Sequence, residues 1–245
     1  MERRRDTIPG RLLTAVKEVV SGLYQFTHGG VNVFVIDDGI GGVTLIDTGF
    51  PKHGDALTSD LASIGYQPGD LTNIVITHAH PDHLGNALRF SESNTPIHLH
   101  ASGTQIAEAG IIHQTMKPAP GLVNALLFRL FIGSKPVEFP PFTPDRALAD
   151  GDVLDIAGGL EVIHTPGHTA SHVSLLWKKD RGLLFTGDAA ANAMGLGYSL
   201  GYDDIDTGRK SLTKLAGNQF EAAVFGHGKP ILSSAADRFA AKFGA

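Results

Sequence analysis

The chain predicts a layered α/β fold. Three features of its patterning carry that expectation. Short apolar runs at 31–36, 43–46, 73–76, 160–163, 183–186 and 222–225 are bounded by turn residues and read as buried strands. Leu57, Leu61 and Ile64 keep helical spacing between Asp55 and the glycine stop at Gly65. Several of the strands then break off into histidine or aspartate, as happens at the edge where ligands converge in layered α/β folds.

Taken in order, the first half reads as strands followed by one helix. Residues 23–26, 31–36 and 43–46 are strand-like, with turns at Gly29-Gly30 and Asp37-Asp38-Gly39. Asp47-Thr48-Gly49 closes the third strand and is good turn chemistry, which makes Asp47 a turn or cap residue on the plainest reading. After the helix comes the β-branched run at 73–76, and directly after it Thr77-His78-Ala79-His80-Pro81-Asp82-His83. Four metal-capable side chains fall within six residues. His78 and His80 lie two apart on an extended segment, so their rings project to one side. Pro81 keeps His80 out of helical angles and suits the first position of a helix, which places Asp82 and His83 in its first turn. Oxygen and imidazole donors paired in this way suit Zn²⁺ or a similar divalent ion.

Residues 84–90 are expected to continue that helix, and 96–100 to form a strand on which His98 and His100 alternate as strand or rim residues. Between 101 and 150 the pattern changes. Large apolar residues lie outside any strand pattern, and Leu122, Leu126, Leu127 and Leu130 keep helical spacing beside Phe128 and Phe131. A proline-rich exit follows at Pro136, Pro140, Pro141 and Pro144. This stretch reads either as a core helix with a linker or as an apolar lid or dimer surface, an insertion at about 105–145.

The second half repeats the logic of the first. The strand at 160–163 leads into His164-Thr165-Pro166-Gly167-His168, whose Pro-Gly turn throws His168 off the strand end. His172 follows, then a strand at 173–177. Gly187-Asp188 closes the strand at 183–186, and Gly226-His227-Gly228 closes the one at 222–225.

His78-x-His80-x-Asp82-His83 after a strand, with Thr-Pro-Gly-His, Thr-Gly-Asp and Gly-His-Gly further on, resembles the signature of the metallo-β-lactamase superfamily of binuclear metallohydrolases. The resemblance covers roughly residues 23–232. It implies a four-layer αββα sandwich of two mixed sheets with a metal site along one edge, in a single domain over 1–245. It implies that His78, His80 and His168 bind one metal, that Asp82, His83 and His227 bind a second, and that Asp188 bridges both. Asp82 and Asp188 are then the catalytic carboxylates, and Asp47 has a second possible role behind the histidines. Two divalent ions are expected, zinc first, with manganese or iron possible. They lower the pKa of a shared water toward about 7 and polarise a carbonyl. His172 is read as a satisfied core histidine in preference to support for the metals.

Composition narrows the classes. A 42% hydrophobic chain of 245 residues can bury a sizeable core. With 18% charged residues and a net charge of −5, it carries no nucleic-acid footprint. The absence of cysteine removes disulfides, thiolate sites and cysteine nucleophiles. The start is basic, but no signal-peptide core follows and no apolar run approaches a membrane span, so a cytoplasmic protein is expected.

Departures from the family's patterns constrain the substrate. Asp188 stands where β-lactamases typically carry cysteine or serine. The short stretch after His227 leaves out the glutathione-binding domain typical of glyoxalase II. Acyl-homoserine-lactone lactonases generally place a tyrosine three residues after the bridging Asp, where this chain has Ala191; Tyr198 and Tyr202 are the alternatives. The expected activity is hydrolysis of an ester, lactone or thioester with an apolar moiety. The runners-up are an acyl-homoserine-lactone lactonase, a mononuclear iron oxidoreductase resembling persulfide dioxygenases, and a silent metal-binding scaffold.

Overall fold

A computed structural model describes residues 16–91, 94–113, 115–133 and 135–244. The basic start of the chain lies outside the described residues.

The first half opens with an antiparallel meander, β1 (Lys17–Val20), β2 (Leu23–His28), β3 (Val31–Asp37) and β4 (Val43–Ile46). Helix α1 (Gly54–Ser63) crosses to β5 (Asn73–Val75), which pairs parallel with β4. Two single-turn helices, α2 (Pro81–Leu84) and α3 (Ala87–Phe90), precede β6 (Ile97–His100), parallel to β5. The middle of the chain holds α4 (Thr104–Ala109), α5 (Leu122–Phe131) and the short strands β7 (Ile111–Ile112), β8 (Lys117–Pro118) and β9 (Val137–Glu138). β10 (Arg146–Leu148) then returns beside β6 and completes a seven-stranded mixed sheet.

The second sheet is built from β11 (Val153–Leu154), β12 (Leu160–His164), β13 (Val173–Trp177) and β14 (Leu183–Phe185), antiparallel in succession. Next come β15 (Gly201–Tyr202), which pairs with β8, and α6 (Ile205–Ala216). β16 (Ala222–Val224) joins β14 in parallel, and α7 (Ala235–Phe243) ends the described chain.

Strand alternation sorts the apolar residues into three seams. Val33 and Val35 of β3 point to one face, where Phe26, Leu45 and Ile74 meet Leu57 and Leu61 of α1 and Phe90 of α3. Phe34 and Ile36 point to the other, against Leu160, Val162, Val173, Leu175, Trp177 and Phe185 of the second sheet. Beyond that sheet, Ile163, Leu176 and Leu184 pack on Leu212 and Leu215 of α6 and on Phe239 and Phe243 of α7. Helix, sheet, sheet and helix layers with three apolar seams are the αββα sandwich. Period-2 side-chain direction requires cover on both sides of a strand once both its faces are apolar.

Local differences from the expected elements have local causes. The helix expected through 84–90 is two turns, because Asn86 interrupts it: its Nδ2 donates to the carbonyl oxygens of Thr48 (2.8 Å) and Phe50 (2.7 Å). The apolar helix α5 forms as its spacing predicts, yet none of its residues is buried, which removes the core reading of that stretch. No helix among the described residues is long and apolar enough to cross a membrane.

The carboxyl ends of β4, β5, β12, β14 and β16 lead into Asp47, His78, His168, Asp188 and His227 respectively. Parallel pairing of β4 with β5 and of β14 with β16 sends these ends to one side of each sheet.

Candidate metal centre

The loop after β5 is held from behind by one carboxylate. Asp47 takes left-handed backbone angles (φ 61°). It accepts hydrogen bonds from the Thr77 N–H (2.8 Å), the Thr77 hydroxyl (2.8 Å) and His83 Nδ1 (2.8 Å). The turn reading and the supporting reading of Asp47 are thus both realised by one residue. Pro81 opens α2 with His80 extended just before it (φ −98°, ψ 149°), as the Pro81 argument requires. Thr48 fixes the far end of that helix, donating its N–H (2.6 Å) and hydroxyl (2.9 Å) to the His83 carbonyl.

All seven predicted residues come together. His78 Nε2 and His168 Nε2 each lie 3.0 Å from His80 Nδ1, so three imidazoles converge. His227 Nε2 lies 3.5 Å from Asp82 Oδ2 and 3.1 Å from Asp188 Oδ2, and His83 Nε2 lies 3.7 Å from each of these carboxylates. Asp188 stands between the groups, with Oδ2 3.6 Å from His168 Nε2. His78 and His83 are fully buried, whereas Asp82 and His227 are half-buried and form the open side of the cluster.

The protonation pattern decides whether the cluster suits cations. The Thr77 hydroxyl donates to Asp47, so it accepts from His78 Nδ1–H. His83 Nδ1 donates to Asp47, His168 Nδ1 to the Gly201 carbonyl (2.8 Å) and His227 Nδ1 to the Gly30 carbonyl (2.9 Å). The fixed acceptors around the rings set these tautomers. In each of the four, the remote nitrogen donates to a fixed acceptor, so the inward Nε2 is the atom left to hold a metal or, without one, a proton. Bare lone pairs 3 Å apart repel one another unless a cation or proton lies among them. His83 Nε2 and Asp188 Oδ1 are buried without any hydrogen-bond partner, which is costly for polar atoms in an interior. A Cβ on Gly226 would come within 2.1 Å of Asp188 Oδ1, so that glycine leaves the carboxylate its place. The donors therefore fit divalent metal.

Charge in the cation-free cluster is arranged accordingly. Burial opposes a proton on His83, but Asp47, Asp82 and Asp188 outweigh it and raise its pKa to about 9. His227 behaves likewise: burial works against the proton, and Asp188 and Asp82 raise the pKa well above the imidazole range. Burial, followed by the neighbouring His168, pushes His80 down to about 3. Burial alone would raise Asp82 and Asp188, yet His83 and His227 hold both carboxyls well below the usual range. A cation competes for the nitrogens that carry these protons, so its uptake releases them.

The remaining histidines fall outside the cluster or behind it. His98 is a buried strand residue that meets Asn73 Oδ1 (3.1 Å), and His100, at the end of the same strand, stacks on His164 at 4.0 Å, so both stand apart from the cluster as strand or rim residues. His172 is fully buried with both ring nitrogens satisfied, as expected of a core histidine, and one of its partners is the Asp188 N–H, which donates to Nε2 at 2.8 Å. Sequence spacing did not single out Asn32, whose Nδ2 donates to the carbonyls of Phe225 and Gly228 (both 2.8 Å) and so braces the His227 loop. Its partners lie nearly two hundred residues away, where no local pattern could reveal them. Tyr202 is buried, donates its hydroxyl to the Ala189 carbonyl (2.7 Å), accepts from the Ser199 N–H (3.1 Å) and packs edge-on against His168.

The model of the metallo-beta-lactamase superfamily matches residues 26–227. The lactamase-like protein aptB of Emericella nidulans is 23% identical over 93% of this chain, and this chain spans 62% of that relative, short of two thirds of its length. The probable metallo-hydrolase YflN of Bacillus subtilis is 27% identical over 76% of the chain and 75% of its own. An N-acyl homoserine lactonase of a Bacillus species is 28% identical over 56% of this chain and 45% of its own. Among solved structures, a B3 metallo-beta-lactamase with an active-site glutamic acid superposes with TM-score 0.68 at 20% identity, covering 90% of this chain and 84% of that one. BJP-1 of Bradyrhizobium japonicum, a subclass B3 metallo-beta-lactamase, gives 0.66 at 23% identity over 88% and 79%. At such identities the likeness is one of fold.

Proposed function

The chain belongs to the metallo-β-lactamase superfamily of metal-dependent hydrolases, and on that premise we propose that it is a binuclear, zinc-type hydrolase of esters, lactones or thioesters with an apolar moiety. His78, His80 and His168 hold one ion, Asp82, His83 and His227 hold the other, and Asp188 is shared. The observation that carries this reading is the convergence of two groups of potential ligand atoms, those of His78, His80 and His168 and those of Asp82, His83 and His227, with His83 Nε2 and Asp188 Oδ1 orphaned 3.7 Å apart between them. Two complete donor sets favour this reading over a mononuclear iron oxidoreductase.

Bound divalent ions supply Lewis acidity toward a carbonyl and activation of water near neutral pH. The chain's own residues do the rest. Asp47, Gly201 and Gly30 fix four imidazoles by accepting their outer protons, directly or through Thr77, so no ring reorients during a reaction. Asp188, standing between the two groups, would offset the repulsion between two bound cations. Tyr202 is committed to Ala189 and Ser199, which turns the reading away from a lactonase that uses that hydroxyl on its substrate. The apolar moiety is assigned to α5, an insertion within 105–145 that sits beside the centre: its Phe128 ring covers Gly201, whose carbonyl orients His168.

A panel of short- and long-chain esters, lactones, thioesters and phosphoesters on metal-loaded protein tests the assignment. Asp188→Asn keeps the shape but removes a charge and a strong ligand, and is expected to lower kcat at least about a hundredfold, a few kcal/mol of barrier. Were Asp188 a mere turn residue, the variant would lose about 1 kcal/mol of stability and keep its turnover.

A further inference from the structure

We propose that His172 is a positioning residue for Asp188: it locks the peptide plane between Gly187 and Asp188, and through it the direction in which the carboxylate meets the metals. The inference rests on Asp188 being a ligand.

One peptide unit is held from both sides. Its N–H, that of Asp188, donates to His172 Nε2 at 2.8 Å, and its carbonyl, that of Gly187, accepts from the Gly226 N–H at 2.9 Å and the Thr186 hydroxyl at 3.0 Å. Since Nε2 accepts, the ring's proton is on Nδ1, which donates to the Thr165 hydroxyl at 2.8 Å. Thr165 lies 3.1 Å from the Ser174 hydroxyl, and Ser174 donates to the Thr186 carbonyl at 3.1 Å. The chain of bonds leaves Asp188 and returns to the strand end two residues before it, crossing the loop that carries His168. Each member is fully or almost fully buried, so no solvent competes for these bonds.

Packing points the same way. Gly187 has left-handed angles (φ 51°), and a Cβ there would lie 2.6 Å from His172 Nε2. The imidazole thus closes on the backbone of the turn itself. Its ring packs tilted against that of His78 (5.1 Å between centroids) and edge-to-face with that of His168 (5.9 Å). A histidine that merely filled the core would need an acceptor and a donor anywhere nearby. This one uses its sole acceptor on the amide of the carboxylate shared by both donor sets.

The test is Zn²⁺ affinity by chelator competition on the full-length protein, with melting of the metal-free protein measured beside it. His172→Leu should fold and bind at least one ion about 10–100-fold more weakly, the cost typical of removing a group that orients a ligand. His172→Gln places an amide oxygen near Nε2 and should recover most of that affinity, whereas His172→Asn is too short and should not. If the leucine variant does not fold, the glutamine–asparagine pair decides alone. Equal Zn²⁺ affinity in Gln and Asn, or wild-type affinity in Leu while Asp188→Asn loses an ion, overturns the proposal. Retention of both ions by Asp188→Asn would remove the ligand reading itself, and this inference with it.

Discussion

At the scale of single residues, the centre is made by where protons are kept out. Thr77 with Asp47, and the carbonyls of Gly201 and Gly30, are the acceptors that turn imidazoles into inward ligands. Space matters as much. Because a Cβ at Gly226 would intrude to 2.1 Å on Asp188 Oδ1, Gly226→Ala should displace the carboxylate. Its expected effect is loss of one ion per chain and at least a tenfold fall in ester turnover, read by elemental analysis and kinetics on the same preparation. A variant with full metal content would show that Asp188 has room to spare. Of the seven ligand candidates, His78, His80, Asp82 and His83 were legible from their short spacing after a strand, and His168, Asp188 and His227 from the motifs that resemble the family's signature. The supporting residues were not. His172 looked like any buried histidine, and Asn32 works through partners visible only once the two sheets are stacked.

At the scale of elements, α5 is the least explained by stability. Leu122, Leu126 and Leu130 are 92%, 59% and 66% exposed along one helical stripe, while Phe128 rests on Gly201. Deleting an exposed leucine typically changes stability by no more than about 0.5 kcal/mol, against about 2–5 kcal/mol for a core leucine. Leu126→Ser should therefore leave the melting temperature nearly unchanged and raise KM for long-chain esters more than for short ones. Phe128→Ser should do the same and also loosen the helix, seen as faster proteolysis within 111–132. Unchanged KM for both chain lengths in Leu126→Ser would separate this helix from substrate binding. The helix itself followed from its leucine spacing, but its exposure did not, because periodicity reports an apolar face and not what covers it. Short edge strands such as β1 and β10 escaped notice for the opposite reason: three or four mixed residues carry no period.

At the scale of the whole molecule, two sheets bring two halves of the sequence to one edge. Asp47, His78, His80, Asp82 and His83 come from the first half, and His168, Asp188 and His227 from the second. Buried strands such as β3, with Val33 and Val35 in one seam and Phe34 and Ile36 in the next, were legible from their apolar runs, while the four-layer order came from the family resemblance. The strand partners could not be read that way, since the same runs are compatible with several orders. The central claim is that this edge holds two divalent ions. Elemental analysis of the purified protein after loading with excess zinc or manganese measures it directly. Close to two ions per chain is the predicted result, and a single ion per chain under those conditions would contradict it.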